Sequence, residues 1–172
     1  LVDHKYTRRE KLAIQGGSNG GLLMGAVITQ HPDLCRAVVS SVGVYDMLRV
    51  ELSSNGEFNI TEYGTVKDPE QFRALLAYSP YHNVKDGTRY PAFLMPTGAN
   101  DPRVEPWHSR KMIARLQSAS ISGEPILLRT SASTGHGGGT PRWLRNQQIA
   151  DIYAFLFKVM KLPYRDTAKG LP

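Results

Sequence analysis

Short apolar runs alternate along this chain with longer segments in which apolar residues recur at helical spacing. Four runs rich in apolar and β-branched residues predict buried strands. The predicted strands span residues 11–15, 36–42, 90–98 and 124–130. Such alternation is typical of a mostly parallel sheet with helices on both faces, so we expect an α/β fold of about four strands.

The segments between these strands predict four helices. They cover residues 20–31, a short stretch near 68–78, residues 105–119, and a last helix that begins at about Pro141. Proline is well suited to the first helical position, because its missing N–H has no partner there. Residues 51–64 are polar and lack a clear period, so we expect an irregular connection.

The first predicted strand lies close to the first residue, and this leaves one of its sides without an evident partner. Parallel strands seldom tolerate an open apolar edge. We therefore expect a second copy of the chain or a preceding segment to complete the sheet. On this interpretation residues 1–172 form a single domain that is the C-terminal portion of a longer fold.

Composition narrows the functional classes. The chain has 172 residues, 41% of them hydrophobic and 21% charged, as in one globular domain. Its net charge of +6 comes from scattered basic residues, so a nucleic-acid site is not expected. No apolar run approaches the ~20 residues needed to cross a bilayer, so no membrane partner is expected. The single cysteine, Cys35, excludes an internal disulfide and a cysteine-based zinc site, and its position predicts a half-buried apolar role. We expect no metal and no organic cofactor.

The sequence "IQGGSNGG" contains the pattern Gly-x-Ser-x-Gly at residues 16–20, between a predicted strand and a predicted helix. This context predicts a nucleophile elbow, a sharp turn that exposes the hydroxyl of Ser18 above the sheet edge. We expect Gly16 and Gly20 to let strand and helix approach closely, and the amide of Asn19 to donate to an oxyanion. Phosphate-binding and dinucleotide loops require glycine and lysine spacings that are absent here.

A serine nucleophile needs a base and an orienting acid, which follow it in the order acid, then histidine, on this type of fold. His136 is the predicted base, because it lies in a glycine-rich loop after the fourth strand. The other histidines are predicted to be structural: His4, His31, His82 and His108.

Two aspartates follow strands at the same edge of the sheet. Asp101 is favoured as the acid because its tight turn follows the strand beside the one that precedes His136. Asp46 is the alternative, although we expect it to cap the segment that follows it. Asp33 and Asp68 are expected to be helix caps.

Taken together, the motifs resemble the catalytic domain of the prolyl oligopeptidase family of serine peptidases. The resemblance is carried by "GGSNGGLLMGAVITQHPDL", "VGVYDMLR", "EYG", "YSPYHNV", "GANDPRV", "HSRKMIARLQ" and "GHGGGTP". It implies the C-terminal portion of an α/β-hydrolase domain, a fold that this family combines with a β-propeller; no propeller is expected in this chain.

The resemblance also implies residue roles. Ser18 would be the nucleophile, the Asn19 amide an oxyanion donor, Asp101 the acid and His136 the base. Arg103 would contact a substrate carbonyl, and Tyr63 and Val104 would form walls of the substrate pocket.

Two departures from the family pattern affect specificity. Asn59, with Phe58 beside it, stands where prolyl-specific members have a tryptophan, and the tyrosine that supplies their second oxyanion donor is absent from this sequence. The predicted function is hydrolysis of short peptides by a Ser-Asp-His triad, with preference for proline left open. A small carboxylesterase using the same triad and a non-catalytic fragment are the alternatives.

Overall fold

The computed structural model describes residues 1–163 as a four-stranded parallel sheet with helices packed on it. Residues 164–172, which the sequence analysis assigns to the same domain, lie outside the described residues. The strands, in sheet order, are β1 (Ala13–Gly17), β2 (Ala37–Ser41), β3 (Ala92–Gly98) and β4 (Ile126–Ser131). The helices are α1 (Asn19–Gln30), α2 (Gly56–Tyr63), α3 (Pro69–Tyr78), α4 (Trp107–Ala119) and α5 (Arg142–Met160).

The two central strands explain why the apolar runs are nearly continuous. All seven residues of β3 are buried, as are the first four of β2. Successive side chains of a strand point to opposite faces, so both faces of a central strand must be apolar when helices cover both. On one face Val38 and Phe93 pack with α1 and α4, whereas on the other Val39 and Leu94 pack with α5.

The predicted helices are present, with two differences at their ends and one omission. Asp68 caps α3 as expected, because its side chain accepts from the amides of Glu70 and Gln71. Asp33 caps no helix; it follows α1 and pairs with Arg9. Pro141 precedes α5, which begins at Arg142.

The omission is α2, in the segment that was predicted to be irregular. Its sequence carries no apolar stripe, and Gly56 is its only buried residue. The prediction was wrong because side-chain hydrogen bonds, such as those that Asn59 donates to Val50 and Ser53, hold this helix in place of a buried apolar face. The short 3₁₀ turn Val50–Leu52 packs beside it.

All four strands run in one direction, so their carboxyl ends meet at one edge of the sheet. Side chains that follow β1, β3 and β4 therefore converge there. β1 is an edge strand of the sheet in the described part of the chain, with one side unpaired; what pairs with it stays a prediction. Across residues 1–163, no helix is both long and apolar enough to span a membrane.

Candidate active site

Ser18 occupies the sharp turn between β1 and α1, in a backbone conformation that L-residues rarely adopt. Its φ is 57° and its ψ is −120°. The turn is held because the Ser18 amide donates to the Ser41 carbonyl of β2 at 2.9 Å. A strained residue of this kind persists only where its surroundings hold it, and such residues are concentrated at functional sites.

Close packing around the turn requires two glycines, one of which the sequence analysis misassigned. A Cβ atom on Gly16 would overlap the carbonyl oxygen of Gly20, so the strand can approach the helix only with glycine there. A Cβ on Gly20 would meet nothing within 4 Å. The second essential glycine is Gly21, where a Cβ would lie 2.5 Å from the Cα of Gly43.

Asp101 lies in the turn after β3 with its carboxylate fully shielded from solvent. One oxygen, Oδ1, accepts from the amides of Arg103 at 2.9 Å and Val104 at 3.0 Å. These two bonds fix the carboxylate in its turn. The other oxygen, Oδ2, lies 2.7 Å from Nδ1 of His136.

His136 lies in the loop after β4, which packs tightly against the Asp101 turn. Gly98 makes this possible, because a Cβ there would collide with the carbonyl oxygens of Thr134 and Gly135. Asn100 joins the two loops further, donating from its amide to Thr134 and from its side chain to Ala132. The imidazole is thereby held with Nε2 3.0 Å from Oγ of Ser18.

The structure thus brings Ser18, His136 and Asp101 into one chain of hydrogen bonds. With Nδ1–H donated to Asp101, the unprotonated Nε2 faces the serine hydroxyl and can accept its proton. This arrangement can generate an alkoxide-like nucleophile.

Asp46 is not part of this chain of hydrogen bonds and does not cap the following segment. Its buried carboxylate instead pairs with Lys111 and Arg49. Burial raises the pKa of Asp46, but the hydrogen bond and charge of Lys111 outweigh it, and the pKa lies below its usual value.

The other histidines stay away from Ser18. His82 contacts Ser79, with 2.8 Å between Nδ1 and Oγ. His108 is buried in α4, and burial lowers its pKa to about 4, which keeps the ring neutral. Cys35 is buried more deeply than expected, and that burial raises the pKa of its thiol to about 11.

The amide of Asn19, the predicted oxyanion donor, follows Ser18 directly. It is the first residue of α1, where N–H groups have no partner within the helix and the helix dipole favours negative charge. Within residues 1–163 this amide donates no hydrogen bond. The side-chain oxygen of Asn19 accepts a hydrogen bond from the hydroxyl of Tyr63 at 3.1 Å, and this bond links α2 to the turn at Ser18.

A cavity of about 420 Å³ opens beside Ser18. Its lining contains every residue that the sequence analysis placed in the substrate pocket, namely Phe58, Asn59, Tyr63, Arg103 and Val104. Arg103 is exposed and forms no ion pair within the described chain.

Three further lining residues were missed. They are Val44, Asn55 and Glu62. Val44 follows β2 at the reactive edge of the sheet, and that position was the available signal for it. Asn55 immediately precedes α2 and Glu62 lies within it, and the sequence analysis did not predict this helix.

Residues 1–163 contain no group of three or more His, Cys, Asp or Glu side chains that could hold a metal ion.

Comparisons with known proteins agree in one family. The sequence profile of the prolyl oligopeptidase family matches residues 1–163. A prolyl endopeptidase of Dictyostelium discoideum is 44% identical over 165 residues, which cover 94% of this chain and 22% of that protein. The chain therefore spans about a fifth of the length of the curated relatives it matches.

Solved structures give the same result. A prolyl endopeptidase structure superposes with a TM-score of 0.91 and 47% identity, covering 95% of this chain and 24% of the other. Oligopeptidase B from Leishmania major also superposes with a TM-score of 0.91, at 30% identity, with coverage of 98% and 24%.

Proposed function

Since this chain belongs to the prolyl oligopeptidase family and has its α/β-hydrolase fold, we propose that it carries the catalytic centre of a serine peptidase that hydrolyses short peptides. The observation that carries the proposal is the hydrogen-bonded series Ser18–His136–Asp101, with distances of 3.0 Å and 2.7 Å. It lies beside a cavity large enough for one residue of a peptide.

In the first half of the reaction the Oγ of Ser18 attacks the carbonyl carbon of the scissile bond. Its proton moves to Nε2 of His136, and Asp101 stabilises the imidazolium through Nδ1–H. The negative charge develops on the carbonyl oxygen beside the amide of Asn19, which donates to it. The C–N bond then breaks, the leaving amine takes the proton from Nε2, and an acyl-enzyme ester remains on Ser18.

The second half repeats these steps with water in place of Ser18. Water loses a proton to Nε2 as its oxygen attacks the ester carbon. Collapse of the tetrahedral intermediate releases the peptide acid and returns the proton to Ser18. No step requires a group other than these side chains and the amide.

The cavity and Arg103 orient the substrate. The guanidinium is exposed at the cavity wall, where it can donate charge-assisted hydrogen bonds to a peptide carbonyl. The residue before the scissile bond would enter the cavity between α2 and the two buried valines Val44 and Val104.

Proline is the residue we propose for this cavity first, because relatives named prolyl endopeptidases are the most similar among those described above. Asn59 and the exposed ring of Phe58 offer a less enclosed surface than a stacked tryptophan would. Another small or apolar residue is therefore an expected second substrate. Peptides that differ only at this position decide between them.

The direct test is labelling with a fluorophosphonate followed by intact and peptide mass measurement, with Ser18→Ala as the control. Such reagents react with a serine only when its base and oxyanion donor are assembled. A single adduct on Ser18 is expected. A folded protein without that adduct would contradict the proposed function, and turnover of short esters without turnover of peptides would assign the site to an esterase.

A further inference from the structure

The loop that follows β2 has no strand or helix of its own, although one of its residues forms a wall of the cavity. Val44 lies in this loop, buried except for a few per cent of its surface, and packs in one cluster with Val104. The two valines come from loops after different strands, β2 and β3. Something must therefore hold the two loops at a fixed separation.

The ring of His108 connects them. His108 lies in the first turn of α4, four residues after Val104, and its amide donates to the carbonyl of Glu105. Its Nδ1 accepts from two successive amides of the other loop, Tyr45 and Asp46, each at 3.2 Å. The ring therefore supplies the acceptor that these two buried N–H groups would otherwise lack.

The tautomer and the surroundings of the ring fit this role. An imidazole that accepts at Nδ1 carries its proton on Nε2, and protonation of Nδ1 would break both bonds. The ring is almost completely buried and stacks on Trp107 with 3.8 Å between centroids. Asp46, Lys111 and Glu105 are the charged groups that act on it, and burial keeps it neutral.

The loop after β2 also contacts α1, the helix that follows Ser18. The hydroxyl of Tyr45 lies 2.6 Å from Oγ of Ser40, and its ring packs on Gly43, where a Cβ would lie 2.5 Å from that ring. Gly43 in turn packs against Gly21 of α1. Because Gly43 and Tyr45 are both held by these contacts, the backbone of Val44 between them is held at the wall of the cavity.

We propose that His108 is a positioning residue for the cavity beside Ser18: by accepting hydrogen bonds from two amides of the loop after β2, it holds Val44 opposite Val104. This inference rests on the proposed function and adds the device that sets the size of the pocket. It gives His108 no contact with substrate. Its loss should weaken binding of a residue that fills the cavity while leaving the reactivity of Ser18 unchanged.

The test compares His108→Asn with His108→Leu. Asparagine can place Oδ1 where Nδ1 lies, so it keeps the acceptor, whereas leucine has a similar shape and no acceptor. We expect the leucine variant to raise KM for a proline-containing peptide by about tenfold or more, because unpaired buried N–H groups are costly. The asparagine variant should stay close to the parent.

A second measurement separates positioning from general damage. The rate of labelling by a small fluorophosphonate, which does not fill the cavity, should be nearly the same in all three proteins. Equal KM values for the asparagine and leucine variants, or a labelling rate that falls in step with KM, would overturn the proposal. If the leucine variant does not fold, His108→Gln replaces it, since its longer side chain moves the acceptor away from the two amides.

The positioning role is also measurable without turnover. Calorimetric binding of a short peptide with C-terminal proline to the Ser18→Ala protein should weaken by about tenfold when leucine or glutamine replaces His108. It should be retained with asparagine. Failure of the parent protein to label at Ser18 would refute the proposed chemistry, whereas equal peptide affinity in all variants would refute the role of His108.

Discussion

Replacing Asp101 by asparagine should nearly abolish turnover without unfolding the protein. The Oδ1 of asparagine can still accept from the amides of Arg103 and Val104, so the turn keeps its geometry. Its NH₂ group, however, would face Nδ1 of His136 in place of the carboxylate oxygen now 2.7 Å away. A donor at that position stabilises the tautomer that carries its proton on Nε2.

The magnitude follows from that tautomer. A protonated Nε2 cannot accept the proton of Ser18, so attack loses its base although all three side chains remain in place. The corresponding substitution in a serine protease triad lowers kcat by about 10⁴-fold. That loss is about 5 kcal/mol of transition-state stabilisation.

Asp46→Asn is the matched control. Asp46 and Asp101 are both buried aspartates, with 0% and 4% of their surfaces exposed, and each follows a strand at the same edge. Asp46 pairs with Lys111 rather than with His136. Its substitution should cost about 1–3 kcal/mol of folding stability because the pair is broken, with kcat almost unchanged.

The assay measures kcat on an activated ester and a short peptide, and thermal unfolding by circular dichroism, for the parent and both variants. We expect low activity with parent-like melting for Asp101→Asn, and the reverse for Asp46→Asn. An Asp101→Asn protein that keeps activity within about 100-fold of the parent would refute the tautomer argument. Equal inactivation by folded Asp46→Asn would show that the wrong acid was chosen.

Three further predictions concern packing, pH and substrate orientation. Gly16→Ala should destabilise the protein by about 1–3 kcal/mol or more, because the new Cβ would overlap the Gly20 carbonyl. Gly20→Ala should be neutral or stabilise the protein by up to about 1 kcal/mol. Chemical denaturation measures both variants, and equal losses of stability would contradict the packing assigned to the elbow. Folding stability should decline by about 3 kcal/mol as pH falls from 6.5 to about 4, because His108 is protonated at a higher pH in the unfolded chain than in the folded protein. Denaturation at several pH values should show that the stability of His108→Asn depends less on pH. An unchanged dependence on pH would exclude His108 as the cause. Arg103→Ala should lower kcat/KM for peptides by about tenfold or more and affect small esters much less, since only a peptide offers the additional carbonyl. Steady-state kinetics measures both substrates, and equal losses on both would remove the proposed role of Arg103.

Local sequence was sufficient for the features whose atoms are neighbours along the chain. The elbow at Ser18 is a strand, a Gly-x-Ser-x-Gly turn and a helix in immediate succession, so its type could be predicted from one short stretch. The buried strands were predicted for the same reason, although each observed strand begins one or two residues later than its apolar run. The roles of Asp101 and His136 came from chain order and stay predictions, although His136 lies within hydrogen-bond distance of both Ser18 and Asp101.

Features held by distant partners were those that the sequence analysis missed. Helix α2 lacks an apolar stripe, and Asn55 and Ser54 bind it to the turn after β3, almost fifty residues further along the chain. Asp46 was read as a cap because its partner Lys111 is 65 residues away. Gly20 and Gly21 are indistinguishable in the sequence, and only the approach of Gly43 shows which of them must lack a side chain.

The sequence by itself determined an α/β chain with a serine on a tight glycine turn, because hydrophobic period and turn chemistry depend on residues next to one another. Only the tertiary structure brings the side chains of the candidate site together. Ser18 and His136 are 118 residues apart, and His136 and Asp101 are 35 apart, yet each pair is within hydrogen-bond distance. They meet because parallel strands place their carboxyl ends at one edge of the sheet, where glycines at positions 16, 21 and 98 permit the final approach.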